Sequence, residues 1–223
     1  MARPAACLFD LDGLLLDTEP LHAEAWQRAA SHFGRVLSAE ELMALRGRRR
    51  LDCADAVRGW ILRSGGPNLS RDQLLAVRQP IAEALLIHAP PMPGAQALVE
   101  RCSQLAVPMA LATSSSRSAV ELKAGPHPWL GAITVRVHGD DPQLQRGKPA
   151  PDVFLLAAER LGVKASASWA FEDSPAGAAA ALAAGCEVHV LPPSHLDAEG
   201  LMESYPGIST FLSDLHQVVT LLD

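Results

Sequence analysis

The stretch Ala5-Ala6-Cys7-Leu8-Phe9-Asp10-Leu11-Asp12-Gly13 decides how the rest of the chain reads. A short apolar run goes straight into two carboxylates spaced i, i+2, and a glycine follows. The run is too short and too sharply ended for a helix, so the pattern predicts a buried strand over residues 5–9. A strand that delivers two acids to its own carboxyl end is poorly suited to filling a core. It is well suited to holding a divalent cation beside a carboxylate nucleophile.

Working outward, periodicity changes after Gly13. Leu21, Ala25, Trp26, Ala29 and Phe33 recur at helical spacing. Ser38 to Glu41 and Ser70 to Gln73 are capping-box signatures, each ahead of an apolar helical stripe. Ala56, Val57, Trp60 and Ile61 mark a further helix between them. Residues 17–87 therefore read as a four-helix insert, and the Pro-rich piece 89–94 as a stiff return linker. Strand and helix then alternate: helix 95–105, strand 107–112, helix 118–124, strand 133–137. A helix opens at Pro151 and ends at Gly162, and a strand follows over 169–171. Ser174 and Pro175 open a helix that Gly185 closes, strand 188–191 comes next, and Ser213 is expected to cap a final helix. Such alternation implies an α/β fold with a doubly wound, Rossmann-like parallel sheet. The expected division is a core of residues 1–16 and 88–223 and an inserted helical domain of residues 17–87.

The 223 residues are enough for one large domain or two modest ones. A net charge of -6 argues against a nucleic-acid binder. Cys7, Cys53, Cys102 and Cys186 are scattered, which fits reduced thiols in a cytoplasmic setting better than zinc or a disulfide framework. Asp10 and Asp12 interrupt the only amino-terminal apolar segment, so no signal peptide is expected there. No membrane partner is expected either. Of 19 basic residues only Lys123, Lys148 and Lys164 are lysines, which makes each one slightly more informative.

In a doubly wound sheet, ligands bind beyond the carboxyl ends of the strands. Three expected strands end in polar clusters: Asp10 with Asp12, Thr113-Ser114-Ser115-Ser116, and Glu172-Asp173-Ser174. Gly147-Lys148-Pro149-Ala150-Pro151-Asp152 lies in the loop before a helix. Together these pieces resemble the haloacid dehalogenase (HAD) superfamily, in its phosphatase and β-phosphoglucomutase-like branch. Asp10-Leu11-Asp12-Gly13 matches the first motif of that family, Thr113-Ser114 the second, Lys148 the third and Glu172-Asp173 the fourth. The helical insert falls where this branch carries its cap.

The resemblance implies a Mg²⁺-dependent phosphatase acting on a small phosphate ester, a sugar or polyol phosphate. Asp10 would attack phosphorus and form an aspartyl-phosphate, with Asp12 as general acid and base. Asp10, the backbone carbonyl of Asp12 and Asp173 would hold the cation, with Glu172 a direct or water-mediated ligand. Lys148 would hold the nucleophile and a phosphate oxygen. Ser114, Ser115 and nearby backbone N–H groups would bind the remaining oxygens. A helix cap is the alternative reading of Ser114, and the two roles are compatible. Arg50, within the basic run Arg46-Gly47-Arg48-Arg49-Arg50, matches a position that grips the distal part of a sugar phosphate; a solvated basic loop explains the same run. Glu19, His22 and Arg117 are further substrate-facing candidates. A hexose phosphomutase using the same residues is the alternative, and Asp17-Thr18-Glu19-Pro20 resembles the phosphatase members more. Dehalogenases lack an acid at the Asp12 position. Phosphonate-cleaving members need a cap lysine, and no lysine precedes Lys123. A monomer or weak homo-oligomer is expected.

Overall fold

The computed structural model describes residues 3–193 and 196–222. Residues 1, 2, 194, 195 and 223 of the expected core lie outside the described residues. A six-stranded, wholly parallel sheet forms the centre: β1 (Cys7–Phe9), β2 (Met109–Ala112), β3 (Val135–Val137), β4 (Trp169–Glu172), β5 (Glu187–Val190) and β6 (Thr210–Phe211). The spatial order is β3-β2-β1-β4-β5-β6. The chain works outward on one side from β1, returns, and works outward on the other. That reversal makes the gap between β1 and β4 the topological switch point, where such sheets bind ligands.

The central strands β1, β2 and β4 are buried on both faces, as a parallel sheet covered by helices requires, while the edge strands β3 and β6 are only partly buried. Period-two alternation sorts the side chains. Cys7, Phe9, Met109, Leu111, Trp169 and Phe171 enter one apolar layer. Leu8, Ala110, Ala112 and Ala170 enter the other. The register pairs Phe9 with Phe171, and Phe171 with His189, so their rings stack in a row with centroids 5.1 Å apart at each step. On the second face the sheet presents alanines, and α7 (Asp152–Leu161) and α8 (Pro175–Ala183) answer with Ala157, Ala158, Ala178, Ala180 and Ala181. Small residues on both sides let helix and sheet approach closely.

Four helices lie between β1 and β2 and ahead of α5 (Ala95–Gln104): α1 (Glu19–His32), α2 (Ala39–Met43), α3 (Arg50–Arg63) and α4 (Arg71–Leu86). Both expected capping boxes form, Ser38 with Glu41 and Ser70 with Gln73. These helices carry their own apolar cluster, centred on Trp26, Ala29, Val57, Ile61 and Leu74. The chain leaving β1 and the Pro-rich return run side by side. Leu16 bridges antiparallel to Pro91, Asp17 N–H donates to Pro90 O (2.8 Å) and Met92 N–H to Leu15 O (3.0 Å). The insert is thus tied to the core by two laced linkers.

The remaining helices are α6 (Arg117–Ala124), α9 (Ala198–Ser204) and α10 (His216–Leu221). Several expectations shift. Pro151 sits one residue before its helix rather than at its first position. Ser213 does not cap α10: Asp214 Oδ1 accepts from the backbone N–H of His216 (2.8 Å) and of Gln217 (3.3 Å). A carboxylate at this position suits the helix dipole. Helix α9 and the two-residue β6 have no counterpart in the sequence reading, being too short to show a period. No helix among the described residues is long and apolar enough to cross a membrane.

Leu74 is fully buried in the insert's own cluster. Leu74→Ala should therefore destabilise the protein by about 2–5 kcal/mol, read as a lower urea midpoint.

Candidate active site

Strand β1 ends at Phe9, and its next residue, Asp10, points into the switch point. Lys148 Nζ donates to Asp10 Oδ1 at 2.6 Å and also contacts Glu172 Oε1. Glu172 closes β4, and its other oxygen accepts from Ser174 Oγ (3.1 Å) and from the backbone N–H of Asp173 (3.2 Å). Ser174 caps α8 through the Gly177 N–H (3.1 Å), which fixes the turn that carries Asp173. One carboxylate oxygen each from Asp10, Glu172 and Asp173 lies within 4.8 Å of the others. All three residues are buried.

Burial without full compensation sets the charge state of this cluster. Burial pushes Asp10 up to about 7, against the pull of Lys148 and with the push of Glu172 and Asp12. Burial likewise raises Asp173 to about 7 against the nearby Arg46, and raises Glu172 against Lys148. Lys148 moves upward despite its burial, because Asp10 and Glu172 flank it. Three carboxylates thus face two cations, Lys148 and Arg46. Asp173 Oδ1 is buried with no hydrogen-bond partner. An orphaned carboxylate oxygen in an all-oxygen donor set fits a hard divalent cation.

Asp12, two residues on, meets a different environment. Thr18 Oγ1 donates to its Oδ1 (2.7 Å) and Ser115 Oγ to its Oδ2 (2.7 Å). Lys123 Nζ reaches both oxygens, with 2.6 Å to Oδ2. His22 Nε2 lies 3.2 Å from Oδ1. Arg78 Nη2 is 2.8 Å from His22 Nδ1. An arginine only donates, so Nδ1 accepts and Nε2 carries the hydrogen that points at Asp12. Burial keeps that imidazole below its ordinary pKa. For Asp12, burial pushes up, but Lys123 and the His22 hydrogen bond outweigh it, and the carboxyl lies well below the usual range.

A cavity of about 1070 Å³ lies between the insert and the carboxyl ends of the strands. Asp10, Asp12, Glu19, His22, Ser114 and Ser115 line it, as do Arg50, Arg78 and Trp26. The guanidinium of Arg78 sits 4.6 Å from the centroid of the Trp26 ring. The loop before α3 closes over the floor. Arg46 Nη2 donates to Asp173 Oδ2 (2.5 Å), and its Nε lies 3.1 Å from Glu19 Oε2. Burial holds the Glu19 carboxyl well above its ordinary range. Gly47 (φ +68°) passes so close to the core that a Cβ there would fall 2.0 Å from Ser174 Oγ. Gly13 (φ +83°) is equally confined, with a hypothetical Cβ 2.2 Å from Asp173 Oδ2.

The structure brings together Asp10, Asp12, Lys148, Glu172 and Asp173, with Glu19, His22 and Ser115 beside them. Three sequence candidates sit differently from expectation. Ser114 lines the cavity, but its hydroxyl donates to Gly47 O (2.8 Å) and so fastens the insert loop. The Arg50 guanidinium donates to Gln79 Oε1 (2.8 Å) at the exposed side of the cavity. Arg117 is exposed and does not line the cavity; its backbone N–H donates to Asp140 Oδ1 (2.9 Å). Position 117 begins α6, so its side chain projects from the helix surface. Lys123, Arg46 and Arg78, which holds His22, escaped the sequence reading. Lys123 carried one signal, the scarcity of lysine. Arg46 carried only its place in the basic run.

Comparison with known proteins agrees with this geometry. A model of the haloacid dehalogenase-like hydrolase family matches residues 4–185. The chain is 36% identical over 200 residues to a probable pseudouridine-5'-phosphatase of Drosophila melanogaster, covering 86% of this chain and 84% of that protein. It is 33% identical over 195 residues to (DL)-glycerol-3-phosphatase 2 of Arabidopsis thaliana, covering 85% and 80%. Among solved structures, the β-phosphoglucomutase of Clostridium difficile superposes with a TM-score of 0.81 at 19% identity, covering 96% of this chain and 93% of that one, a likeness of fold. A sheet reversing at β1, acids at the ends of β1 and β4, and relatives of this kind lead to one assignment: the chain belongs to the haloacid dehalogenase-like hydrolases and is a phosphoric monoester hydrolase of that superfamily.

Proposed function

We propose that the protein is a Mg²⁺-dependent phosphatase that hydrolyses a sugar or polyol phosphate through an aspartyl-phosphate on Asp10, with Asp12 as general acid and base. The observation that carries this reading is the buried cluster of Asp10, Glu172 and Asp173, with its orphaned Asp173 oxygen, set beside a second carboxylate that faces the other way. Asp10, Asp173 and the backbone carbonyl of Asp12 would hold the cation, with Glu172 direct or through water. When bound, it supplies the positive charge that lets a carboxylate approach a phosphate dianion.

The chain's own residues do the rest. Lys148 holds the Asp10 carboxylate as a fixed point charge and meets a phosphate oxygen. An Asp10 oxygen bonds to phosphorus as the ester P–O bond breaks. The electron pair goes to the alcohol oxygen, which takes the proton of Asp12. Asp12 then removes a proton from water, the water oxygen bonds to phosphorus, and the P–O bond to Asp10 breaks with its pair returning to the carboxylate. Inorganic phosphate and the alcohol leave. Residues 17–87 act as a cap, with Arg46 and Gly47 sealing the floor against bulk water. Glu19 and His22 face the leaving group from the cap, and Arg50 lines the same cavity at its exposed side.

The volume above the acids exceeds what a glycerol moiety needs and accommodates a sugar or nucleoside leaving group. The relatives' names, a pseudouridine phosphatase and a glycerol-3-phosphatase, support that range. The four buried, unpaired cysteines support a reducing, cytoplasmic setting.

Asp10→Asn should abolish phosphate release from a panel of sugar and polyol phosphates while the circular dichroism spectrum and melting temperature remain those of a folded protein. Turnover by this variant would remove Asp10 as nucleophile. Product isomers measured on the same panel separate hydrolysis from phosphomutase activity. Dialysis against EDTA should silence the enzyme, and Mg²⁺ should restore it; full activity after exhaustive chelation would exclude the metal. Asp173→Asn gives a third check. Asp173 titrates near 7 when folded and near 3.8 when unfolded, so the native state holds a proton that the unfolded state lacks between those values. Its ionisation thus destabilises the fold as pH rises. In metal-free protein the stability of the Asn variant relative to wild type should therefore increase from about pH 5 to about pH 8, measured by urea unfolding.

A further inference from the structure

We infer that Lys123 is a positioning residue that fixes the orientation of the Asp12 carboxylate, a role that rests on the acid/base assignment of Asp12 above. Lys123 comes from the last turn of α6, 111 residues from Asp12 in the chain, and its side chain is wholly buried. Its ammonium has three hydrogens and three acceptors: Asp12 Oδ1, Asp12 Oδ2 (2.6 Å) and Ser115 Oγ (2.8 Å). Ser115 spends its own hydrogen on Asp12 Oδ2 (2.7 Å), which closes a triangle. Nothing of Lys123 is left over for substrate.

Two features make this more than an ion pair that happens to be buried. Among the described residues Lys123 is the donor that grips both Asp12 oxygens, so it sets the rotation of the carboxylate plane. The others each touch one oxygen. The donors also divide by element. Thr18 and His22 belong to the insert and its linker, and would travel with it. Lys123 and Ser115 belong to the core and stay. The core pair therefore keeps Asp12 aimed whatever the position of the insert. A fully buried lysine is costly to desolvate, and an apolar side chain generally packs such a position at least as well. Lys148 performs the corresponding service for Asp10, so each of the two acids has its own ammonium.

The chemistry supplies a readout that a structural role would not move. When an alkyl phosphate reacts, the alcohol oxygen that receives the P–O electron pair needs the Asp12 proton. When p-nitrophenyl phosphate reacts, the nitrophenolate leaves without one. The ratio of kcat/KM for glycerol 3-phosphate to kcat/KM for p-nitrophenyl phosphate therefore reports leaving-group protonation, and the fraction of enzyme that is folded cancels from it. Asp12→Asn should lower this ratio by about 100-fold or more. Lys123→Met should lower it by about tenfold or more, and Lys123→Gln, which keeps a polar donor and serves if the Met variant is insoluble, should lower it in the same direction. A ratio that falls in Asp12→Asn but is unchanged in both Lys123 variants overturns the role of Lys123. A ratio unchanged in Asp12→Asn overturns the acid/base assignment itself, and the Lys123 inference with it.

Discussion

Everything at the switch point is arranged around one ammonium buried between two carboxylates, Lys148 between Asp10 and Glu172. Without it, a strand of the sheet could not end in an acid below the protein surface, because an uncompensated buried charge costs several kcal/mol. With it, Asp10 is held rigid against Glu172, and β1 is tied chemically as well as by hydrogen bonds to β4. The compensation is deliberately incomplete. Asp173 adds a third carboxylate, and Arg46 reaches it only from the insert loop. The charge balance of the core site thus depends on where the insert sits.

The two acids of the first motif show how position alone divides labour. A regular strand would leave residues i and i+2 on one face, but β1 ends at Phe9 and the chain turns at Gly13 (φ +83°), so the two acids meet different neighbours. Asp10 enters the pocket of acids, where burial raises its pKa to about 7. Asp12 enters a pocket of donors, where Lys123, Ser115, Thr18 and His22 hold it charged. The direction is the reverse of that for a resting acid and nucleophile, so the roles proposed for Asp10 and Asp12 require the cation and the phosphate to redraw both environments.

The parts of the site legible in the sequence are those that the sheet itself delivers. Asp10, Asp12, Ser115, Glu172 and Asp173 stand just after or at the ends of apolar runs, and a parallel sheet gathers strand ends at one edge. Lys148 was legible through its loop. Lys123 and Arg46 were not, because a helix's last turn and an irregular loop carry no register from which a direction can be read. The same physics explains the fold-level misses. Capping boxes at Ser38 and Ser70 are local and were visible, whereas the Asp214 cap depends on where α10 begins, and β6 exists only because β5 offers it an edge. Ser114 stood in the expected place, but its hydroxyl answers a carbonyl from a loop 67 residues away, which no local pattern encodes.

The stacking of Arg78 on Trp26 has a practical corollary. Trp26 belongs to the cavity wall, and a cation rests against its indole face. Indole emission is sensitive to a nearby charge and to the polarity around the ring. A leaving group entering beside this pair would change both, so the protein carries a native optical reporter of occupancy. Replacing the other three tryptophans, Trp60, Trp129 and Trp169, by phenylalanine would isolate its signal without a label.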